Sequence, residues 1–526
     1  MAFRTFVSLG KDLPAGVVVF LVALPLCLGV ALASGAPLIA GIIAGIVGGV
    51  VVSLLSGSQL SVSGPAAGLT AITMSGIQTL GGFEHLLMAI ILAGVFQVVL
   101  GYLKAGSLAA YFPSSVIEGM LAAIGLILIL KQFPHALGYG IDTLTDETYS
   151  PESPGSVLRE ILEALRGVTP GATVVTLVSI LIMKIWEYPP VNRIAMLRAI
   201  PGPLMAVIWG VGFQFFAEGS HFEISGQHLV SLPAHQTIGD LADELITPNF
   251  SSFFKPEVWR VALTIGVIAS IESLLSLEAV DKLDPERRVA PPDRELKAQG
   301  IGNIISGLLG GLPITSVIVR SSANVNAGGK TRLASFCHGL LLLISALFLV
   351  EWINRIPLSA LAAILLVTGY KLSHPRVFLM MWHRGFAQFA PFIATILAVL
   401  VSDLLKGIAI GLLIGLAFVI HANFRAAISL TIEGRHALIK LRKDVTFLNK
   451  PLLRKILAGL PDNAEVMIDG SRSEFIDLDI LGCILDFCLS ARAKGNSVYL
   501  RSIQGVSGDN PVETLREILG HGSSGH

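Results

Sequence analysis

Charged residues are scarce in this chain. Asp, Glu, Lys and Arg make up 14% of its 526 residues, against about a quarter in an ordinary soluble domain. Hydrophobic residues make up 53%, and the mean hydropathy is +0.73. This composition excludes a soluble globular protein and predicts a chain that crosses a membrane many times.

Cysteine is also scarce, and its placement argues against a metal site. Cys27, Cys337, Cys483 and Cys488 show no metal-type spacing and need no disulfide. Lys plus Arg and Asp plus Glu both number 37, so the net charge is zero and we expect no nucleic-acid partner. The sequence has no Ser/His/Asp, metal-ligand or phosphate-loop constellation, so we expect neither an enzyme nor a bound cofactor.

Long apolar stretches are what the chain has in abundance. Candidate spans cover residues 14–34, 37–55, 86–103, 114–130, 172–186, 203–216, 258–279, 300–309, 333–350, 358–370, 386–401 and 404–420. Basic residues collect in alternate loops, on the side that also holds Arg4 and Lys11. This asymmetry predicts a multi-pass protein of the cytoplasmic (inner) membrane with both termini in the cytoplasm.

Two interrupted apolar segments differ from these spans. They read SVSGPAAGLTAIT from Ser61 and GGLPITSVIVRSS from Gly310. Neither has an apolar part long enough to cross a bilayer, which takes about 20 residues of helix. We predict two half-helices that begin at membrane depth, where unpaired backbone N–H groups and the positive helix ends favour an anion.

The two half-helices bring the count to fourteen segments and take the third place in each set of seven. Because an odd number of crossings reverses the second set, we predict an all-α membrane domain over residues 1–425, built as a 7+7 inverted repeat. Secondary transporters commonly have this architecture. From Ile428, strand-like runs alternate with amphipathic helices, which predicts a small cytoplasmic α/β domain over residues 426–526.

Small and hydroxyl-bearing residues mark the first half-helix. Ala66, Thr70 and Thr73 are spaced i, i+4, i+7 and share one helical face. Pro65 suits the first helical turn, where its missing N–H would be unpaired anyway. Ala67 allows close approach to backbone N–H groups. We favour an anion site here, and tight helix packing is the alternative interpretation.

The second half-helix carries a basic residue. Thr315, Ser316, Val317 and Arg320 lie at its start, and an arginine inside a membrane is costly unless it faces a cavity or a partner. We expect Arg320 to support the anion directly. The alternatives are that it is drawn towards a cytoplasmic vestibule or forms a structural ion pair with Glu272.

Glu272 lies in the middle of the span 258–279, with Ser276 one turn later. An isolated buried carboxylate either takes a proton or pairs with a cation. These two residues are therefore the predicted site of a coupling ion, with H⁺ and Na⁺ both open.

Pro25 interrupts the first span and frees backbone groups near its middle. We predict a helix that is unwound at this point, beside the substrate. Pro25 thus joins Ala66, Ala67, Thr70, Thr315, Ser316, Val317 and Arg320 as a candidate substrate-binding residue.

Four runs, in order along the chain, resemble motifs of the sulfate permease (SulP) family of anion transporters. They are LPAGVVVFLVALPLCLGVALASG, SGPAAGLT, ASIESLLS and PITSVIVRSSANVNAGGKTR. In the tail, MIDGSRSEFIDLDILGCIL is similar to the STAS domain that ends those proteins. The resemblance implies fourteen segments divided into a core and a gate, a homodimer, and an elevator-type shift of the core.

Two positions depart from the family pattern. Leu26 follows Pro25 where many members have a polar glutamine, which removes one expected polar contact. Leu478 stands where regulatory STAS domains have a phosphorylated serine. We therefore expect a structural or protein-contact role for the tail and no phosphorylation switch.

The leading hypothesis is a secondary transporter of small inorganic oxyanions. Bicarbonate is placed slightly ahead of sulfate because the chain loosely resembles bacterial members of the family that are associated with carbon uptake, and one arginine and two helix ends also suit a monoanion. An anion channel or exchanger and a dicarboxylate symporter of the same fold are the alternatives. A nucleobase permease and a membrane-tethered STAS interaction module are further ones. The expected partners are the inorganic anion, membrane lipid and a second copy of the chain.

Overall fold

The computed structural model describes residues 2–107, 113–139, 164–188, 200–233, 245–402, 404–491 and 494–503. The chain divides into two compact units, Met1–Leu412 and Leu413–His526.

The first part of the larger unit is helical with one short strand. Its elements are α1 (Ala2–Ala33), α2 (Leu38–Val47), β1 (Ser63–Pro65), α3 (Thr70–Leu80), α4 (Phe83–Tyr102), α5 (Ser114–Ala136), α6 (Pro170–Trp186) and α7 (Gly202–Ala217). A π-helical turn at Gly48–Val52 and a last turn at Ser53–Leu55 prolong α2, so that residues 38–55 form one continuous apolar helix.

The second part repeats the pattern of a short strand followed by a short helix. Its elements are α8 (Pro256–Leu283), α9 (Pro292–Leu308), β2 (Ile314–Ser316), α10 (Ile318–Asn326), α11 (Leu333–Phe348), α12 (Leu358–Leu372), α13 (Pro375–His383), α14 (Phe386–Val401) and α15 (Leu404–Ala427). Among the described residues, 5 helices are long and apolar enough to cross a membrane. The mostly helical membrane fold is confirmed, whereas the count of fourteen segments stays a prediction.

Two helices differ in length from the predicted spans. Helix α9 begins at Pro292 and not near Gly300, and α5 continues to Ala136 and does not end at Leu130. In both helices the missed turns carry polar residues, which lower the hydropathy without breaking the helix. Proline at the first position of α9 suits a helix start, because its missing N–H would have no partner there.

The membrane helices pack in two groups. In the first group, α4 packs on α8 and α9, and α1 packs on α2, α10 and α11. In the second group, α5 packs on α12 and α14, and α6 packs on α7 and α12. We call the first group the core and the second the gate. Contacts between the groups are fewer and run mainly from α1 to α12 and α7, with a smaller contact between α3 and α5.

Helix α1 passes through Pro25 without a break, so the predicted unwinding at this residue is wrong. Proline removes one backbone N–H and leaves the other hydrogen bonds of the helix intact. Inside a membrane, packing by neighbouring helices compensates for the lost hydrogen bond. Pro25 is buried within the continuous helix.

A stripe of buried polar side chains runs along α9. Glu295, Gln299, Asn303 and Ser306 are spaced i, i+4, i+8 and i+11, and all four are fully buried. Glu295 accepts hydrogen bonds from Ser56 and from Gln299. A polar stripe inside a membrane protein needs partners, and the further partners of this one are Gln97 of α4, β1 and the segment around β2.

The stripe supplies the hydrogen bonds that the two strands lack. Asn303 Nδ2 donates to the carbonyl of Ile314 at 3.0 Å, and the N–H of Ile314 donates to Asn303 Oδ1 at 2.6 Å. Ile314 lies opposite Pro65, which has no N–H to give. Gln299 Nε2 donates to Ser63 Oγ at 2.7 Å. The side chain of Asn303 therefore replaces a missing strand partner.

The smaller unit is a four-stranded sheet with helices. Its elements are β3 (Ile428–Glu433), β4 (His436–Leu441), α16 (Lys450–Ala458), β5 (Glu465–Asp469), α17 (Leu478–Ala491) and β6 (Ser497–Arg501). The strand order is β3-β4-β5-β6, with β3 antiparallel to β4 and the other pairs parallel. This fits the small α/β domain that the sequence predicts.

The core of this unit lies between the sheet and its helices. Ile439, Ile468 and Ile484 are fully buried in it, and both Cys483 and Cys488 lie on α17 with buried side chains. Burial raises the pKa of the Cys488 thiol to about 11. At neutral pH this cysteine is therefore a packing residue and not a nucleophile.

Asn303→Leu is expected to lower the thermal unfolding midpoint of the purified protein. The N–H and carbonyl groups of Ile314 would each lose a partner in a buried site, at a cost of about 1–3 kcal/mol per group. Intrinsic fluorescence in detergent measures the midpoint. Asn326→Leu, at an exposed position, is the matched control, and equal midpoints for the two variants would contradict the assigned role of Asn303.

Candidate functional site

Strands β1 and β2 meet in the interior of the larger unit, at a place that we call the crossing. They pair antiparallel, with Ser63 opposite Ser316, Gly64 opposite Thr315 and Pro65 opposite Ile314. Helix α3 follows β1, and α10 follows β2 after a single residue. Because antiparallel strands end at opposite ends of their ladder, the two helices begin beyond opposite ends of a three-residue ladder that is about 10 Å long.

The helix starts present positive ends to this crossing. The leading N–H groups of a helix have no partner inside the helix, and the macrodipole adds about half a positive charge there. The N–H of Val317 is already taken by the carbonyl of Val62 at 3.0 Å. Thr70 Oγ1 donates to the carbonyl of Ala67 at 2.8 Å. Ala66 is extended, so α3 enters its first turn through Ala67–Leu69.

Pro65 lies in β1 and not in the first turn of α3, so the predicted placement at the helix start is wrong. The strand can accommodate Pro65 because its neighbour Ile314 has Asn303 as hydrogen-bond partner and needs no N–H from Pro65. Pro65 ends the ladder, and its carbonyl remains available to another donor.

Arg320 donates a hydrogen bond to the carbonyl of Pro65. Its Nη2 donates to the Pro65 oxygen at 3.1 Å, so the side chain reaches from the first turn of α10 to the segment that leads into α3. The side chain is 1% exposed, and its Nε and Nη1 have no hydrogen-bond partner in the described part of the chain. A buried guanidinium therefore lies between the two positive helix ends.

Glu272 lies on α8 against the first turn of α3. It is half-buried, and its Oε2 has no hydrogen-bond partner among the described residues. Over the described ranges, Glu272 and Arg320 do not form an ion pair. The structural pair considered from the sequence is therefore not present. Ser276, one turn further along α8, is buried.

Two glycines of the SGPAAG run make room for the two charged side chains. A Cβ on Gly64 would clash with Arg320 Nη1. A Cβ on Gly68 would lie 2.7 Å from both carboxylate oxygens of Glu272, which is closer than a real Cβ allows. The guanidinium and the carboxylate thus each occupy a space that a side chain at the facing glycine would fill.

Hydroxyl groups complete the inner wall of the crossing. Ser316 Oγ lies 2.6 Å from Ser61 Oγ, and the N–H of Ser316 donates to Ser273 Oγ at 3.3 Å. Thr315 Oγ1 donates to the carbonyl of Ser316 at 3.2 Å. These bonds fasten β2 to β1 and to α8.

Nine of the ten predicted site residues lie on the elements that meet at this crossing. They are Ala66, Ala67, Thr70, Thr315, Ser316, Val317 and Arg320, with Glu272 and Ser276 on α8. Pro25 lies on α1, which packs against β1 and α10. Their roles in binding substrate or a coupling ion stay predictions.

Sequence analysis missed three polar residues around the site. Gln299 and Asn303 support the strands. Together with Glu295 they recur every four residues, which is the signal of a polar helix face, but the span was delimited by hydropathy alone. Lys131 lies just outside the predicted span, which ends at Leu130. In the structure it lies within α5, and its Nζ is 2.8 Å from Met74 Sδ on α3.

Comparison with known proteins relates the chain to one family. The model of the sulfate permease family matches residues 9–419. YvdB of Bacillus subtilis, which is named as a candidate sulfate transporter, is 27% identical over 436 residues, or 82% of this chain and 78% of YvdB. The bicarbonate transporter BicA of Picosynechococcus is 27% identical over 379 residues, or 69% of this chain and 62% of BicA.

Solved structures agree on the fold. The transmembrane domain of a cyanobacterial bicarbonate transporter BicA superposes with a TM-score of 0.64 at 25% identity, over 77% of this chain and 97% of that one. Murine solute carrier 26 family member A9, an anion transporter in an inward-facing state, has a TM-score of 0.75 at 17% identity, over 97% and 87% of the two chains. Because the family model spans most of the membrane unit and the motifs in it form the crossing, the chain belongs to the sulfate permease family, a family of transporters and not of enzymes.

Proposed function

We propose that this chain is a secondary active transporter of small inorganic oxyanions, with bicarbonate and sulfate as the candidate substrates. The observation that carries the proposal is Arg320, a buried guanidinium between two helix N-termini that forms no ion pair with Glu272. The names of the relatives, which include sulfate and bicarbonate transporters, support the same class of substrate.

An oxyanion suits the free groups of the crossing. Two nitrogens of Arg320 lack acceptors, and charge-assisted hydrogen bonds to an anion are about twice as strong as neutral ones. Helix N-termini add further donors and favourable dipoles. On the first turn of α10, Ile318 and Val319 are 40% and 53% exposed, so this helix start is not sealed by packed protein.

Glu272 offers a route to ion coupling. Its carboxylate lies beside the first turn of α3, the same positive end that would attract the substrate. Two anions at one helix start repel each other, so neutralising Glu272 would favour substrate binding. A proton does this directly, and Na⁺ would do so with Glu272 and the Ser276 hydroxyl among its oxygen ligands.

The division into core and gate supports an elevator-type mechanism. The crossing is built from α3, α8 and α10, all of which belong to the core, so the site would travel with the core as one body. We further propose that the protein lies in the inner membrane with both termini in the cytoplasm, surrounded by lipid and paired with a second copy.

Flux into liposomes tests the transport function. The purified protein is reconstituted, and uptake of labelled bicarbonate and sulfate is measured with Na⁺ and proton gradients imposed separately. Uptake above protein-free liposomes that is driven by one of these gradients is the expected result. Flux that ignores both gradients would indicate a channel or exchanger, and absence of flux for both anions would overturn the proposal.

Arg320→Met should abolish uptake or raise the apparent KM at least about tenfold, which corresponds to about 1.4 kcal/mol of lost binding. Arg320→Met also leaves the Pro65 carbonyl without its donor, so the unfolding midpoint is needed to separate a loss of binding from a loss of folded protein. Uptake and thermal unfolding are measured on the same preparation. Arg260→Met, at an exposed position of α8, is the control, and unchanged kinetics in Arg320→Met would remove Arg320 from the site.

Glu272→Gln should retain anion flux but lose its dependence on the coupling gradient, because an amide takes up neither a proton nor Na⁺ as a carboxylate does. Initial uptake rates with and without each gradient give the measurement. Glu278→Gln changes an exposed carboxylate on the same helix and should behave as wild type. Full gradient dependence in Glu272→Gln would exclude Glu272 as the coupling residue.

A further inference from the structure

Lys131 is a basic residue of the gate that reaches the core. It lies in the last two turns of α5, is half-buried, and brings its Nζ to 2.8 Å from Met74 Sδ of α3. Helix α5 packs mainly with α12 and α14, so this contact links the two groups of helices. It is also a contact with one of the two half-helices at the crossing.

The position of Met74 places this ammonium beside α3, just beyond its first turn. Met74 comes four residues after Thr70, which is about 6 Å along the axis of α3. The packing of α5 agrees with this placement, because α5 contacts both α3 and the turn Ala67–Leu69 that leads into it. The lysine therefore lies beside the half-helix whose N-terminus faces the crossing.

A cation at this depth affects anions according to their charge. Ionisable residues inside membrane segments are rare, and a functional role is the default hypothesis for them. The Coulomb free energy between an ammonium and an anion is proportional to the charge of the anion. One additional cation thus contributes twice as much to a doubly charged substrate as to a singly charged one.

We propose that Lys131 is a specificity-determining residue of the transport pathway, a second cation after Arg320 that favours doubly charged oxyanions such as sulfate over singly charged ones such as bicarbonate. The proposal rests on the anion-transport function proposed above. Since Lys131 belongs to the gate and Met74 to the core, a shift of one group against the other would separate the ammonium from α3. The second charge would then act in one position of the core and be withdrawn in the other.

A lysine that only extends its charged end towards the membrane surface is the competing explanation. Such a residue would act through packing, and its replacement would affect both anions alike or neither. The difference between the two anions is therefore the informative quantity, and absolute activity is not.

The experiment compares wild type, Lys131→Met and Lys131→Arg in liposomes, with KM measured separately for sulfate and for bicarbonate. In Lys131→Met we expect KM to rise about tenfold for sulfate and about threefold for bicarbonate, because a doubled interaction free energy squares the ratio. Lys131→Arg keeps the charge and should retain the wild-type preference. Lys184→Met, at an exposed position of α6, controls for loss of one positive charge elsewhere.

Equal changes in KM for the two anions, or none, would overturn the role of Lys131 while leaving the transport function intact. Wild-type protein that carries neither anion would overturn the transport function itself and the role of Lys131 with it. If Lys131→Met does not elute as folded protein, Lys131→Gln carries the same comparison, since it also removes the charge and retains a polar end.

Discussion

A backbone that leaves its helix inside a membrane must find hydrogen-bond partners in the protein, because lipid offers none. The rest of the larger unit is arranged around this requirement. Strands β1 and β2 pair with each other over three residues, and the polar stripe of α9 provides what the pairing leaves open. Gln299 and Asn303 therefore stabilise the backbone from which the two half-helices begin.

The same requirement explains how charge is kept at the crossing. Once the strands are fixed, the starts of α3 and α10 are positive by the geometry of the backbone. Arg320 adds to that field from one side, and Glu272 opposes it from α8. The two side chains occupy spaces left by Gly64 and Gly68, so one short run of sequence makes room for both charges of the site.

Local sequence was enough to find the crossing but not its support. The two interrupted segments, Arg320 and Glu272 are visible as breaks and charges in apolar runs, and the small α/β unit follows from its alternating pattern. The partners of the strands lie far away in sequence: Gln299 and Ser63 are 236 positions apart. Hydropathy also misled at Pro25, where packing keeps α1 continuous, and at the end of α5, where a polar last turn concealed Lys131.

The spaces beside Gly64 and Gly68 constrain how the sequence can evolve. A side chain at Gly64 would displace the guanidinium of Arg320, and one at Gly68 would displace the carboxylate of Glu272. In each pair the two positions lie more than two hundred residues apart and in opposite halves of the membrane unit. Substitutions at these positions should therefore occur in pairs, and covariation between the two halves would record the crossing without any structure.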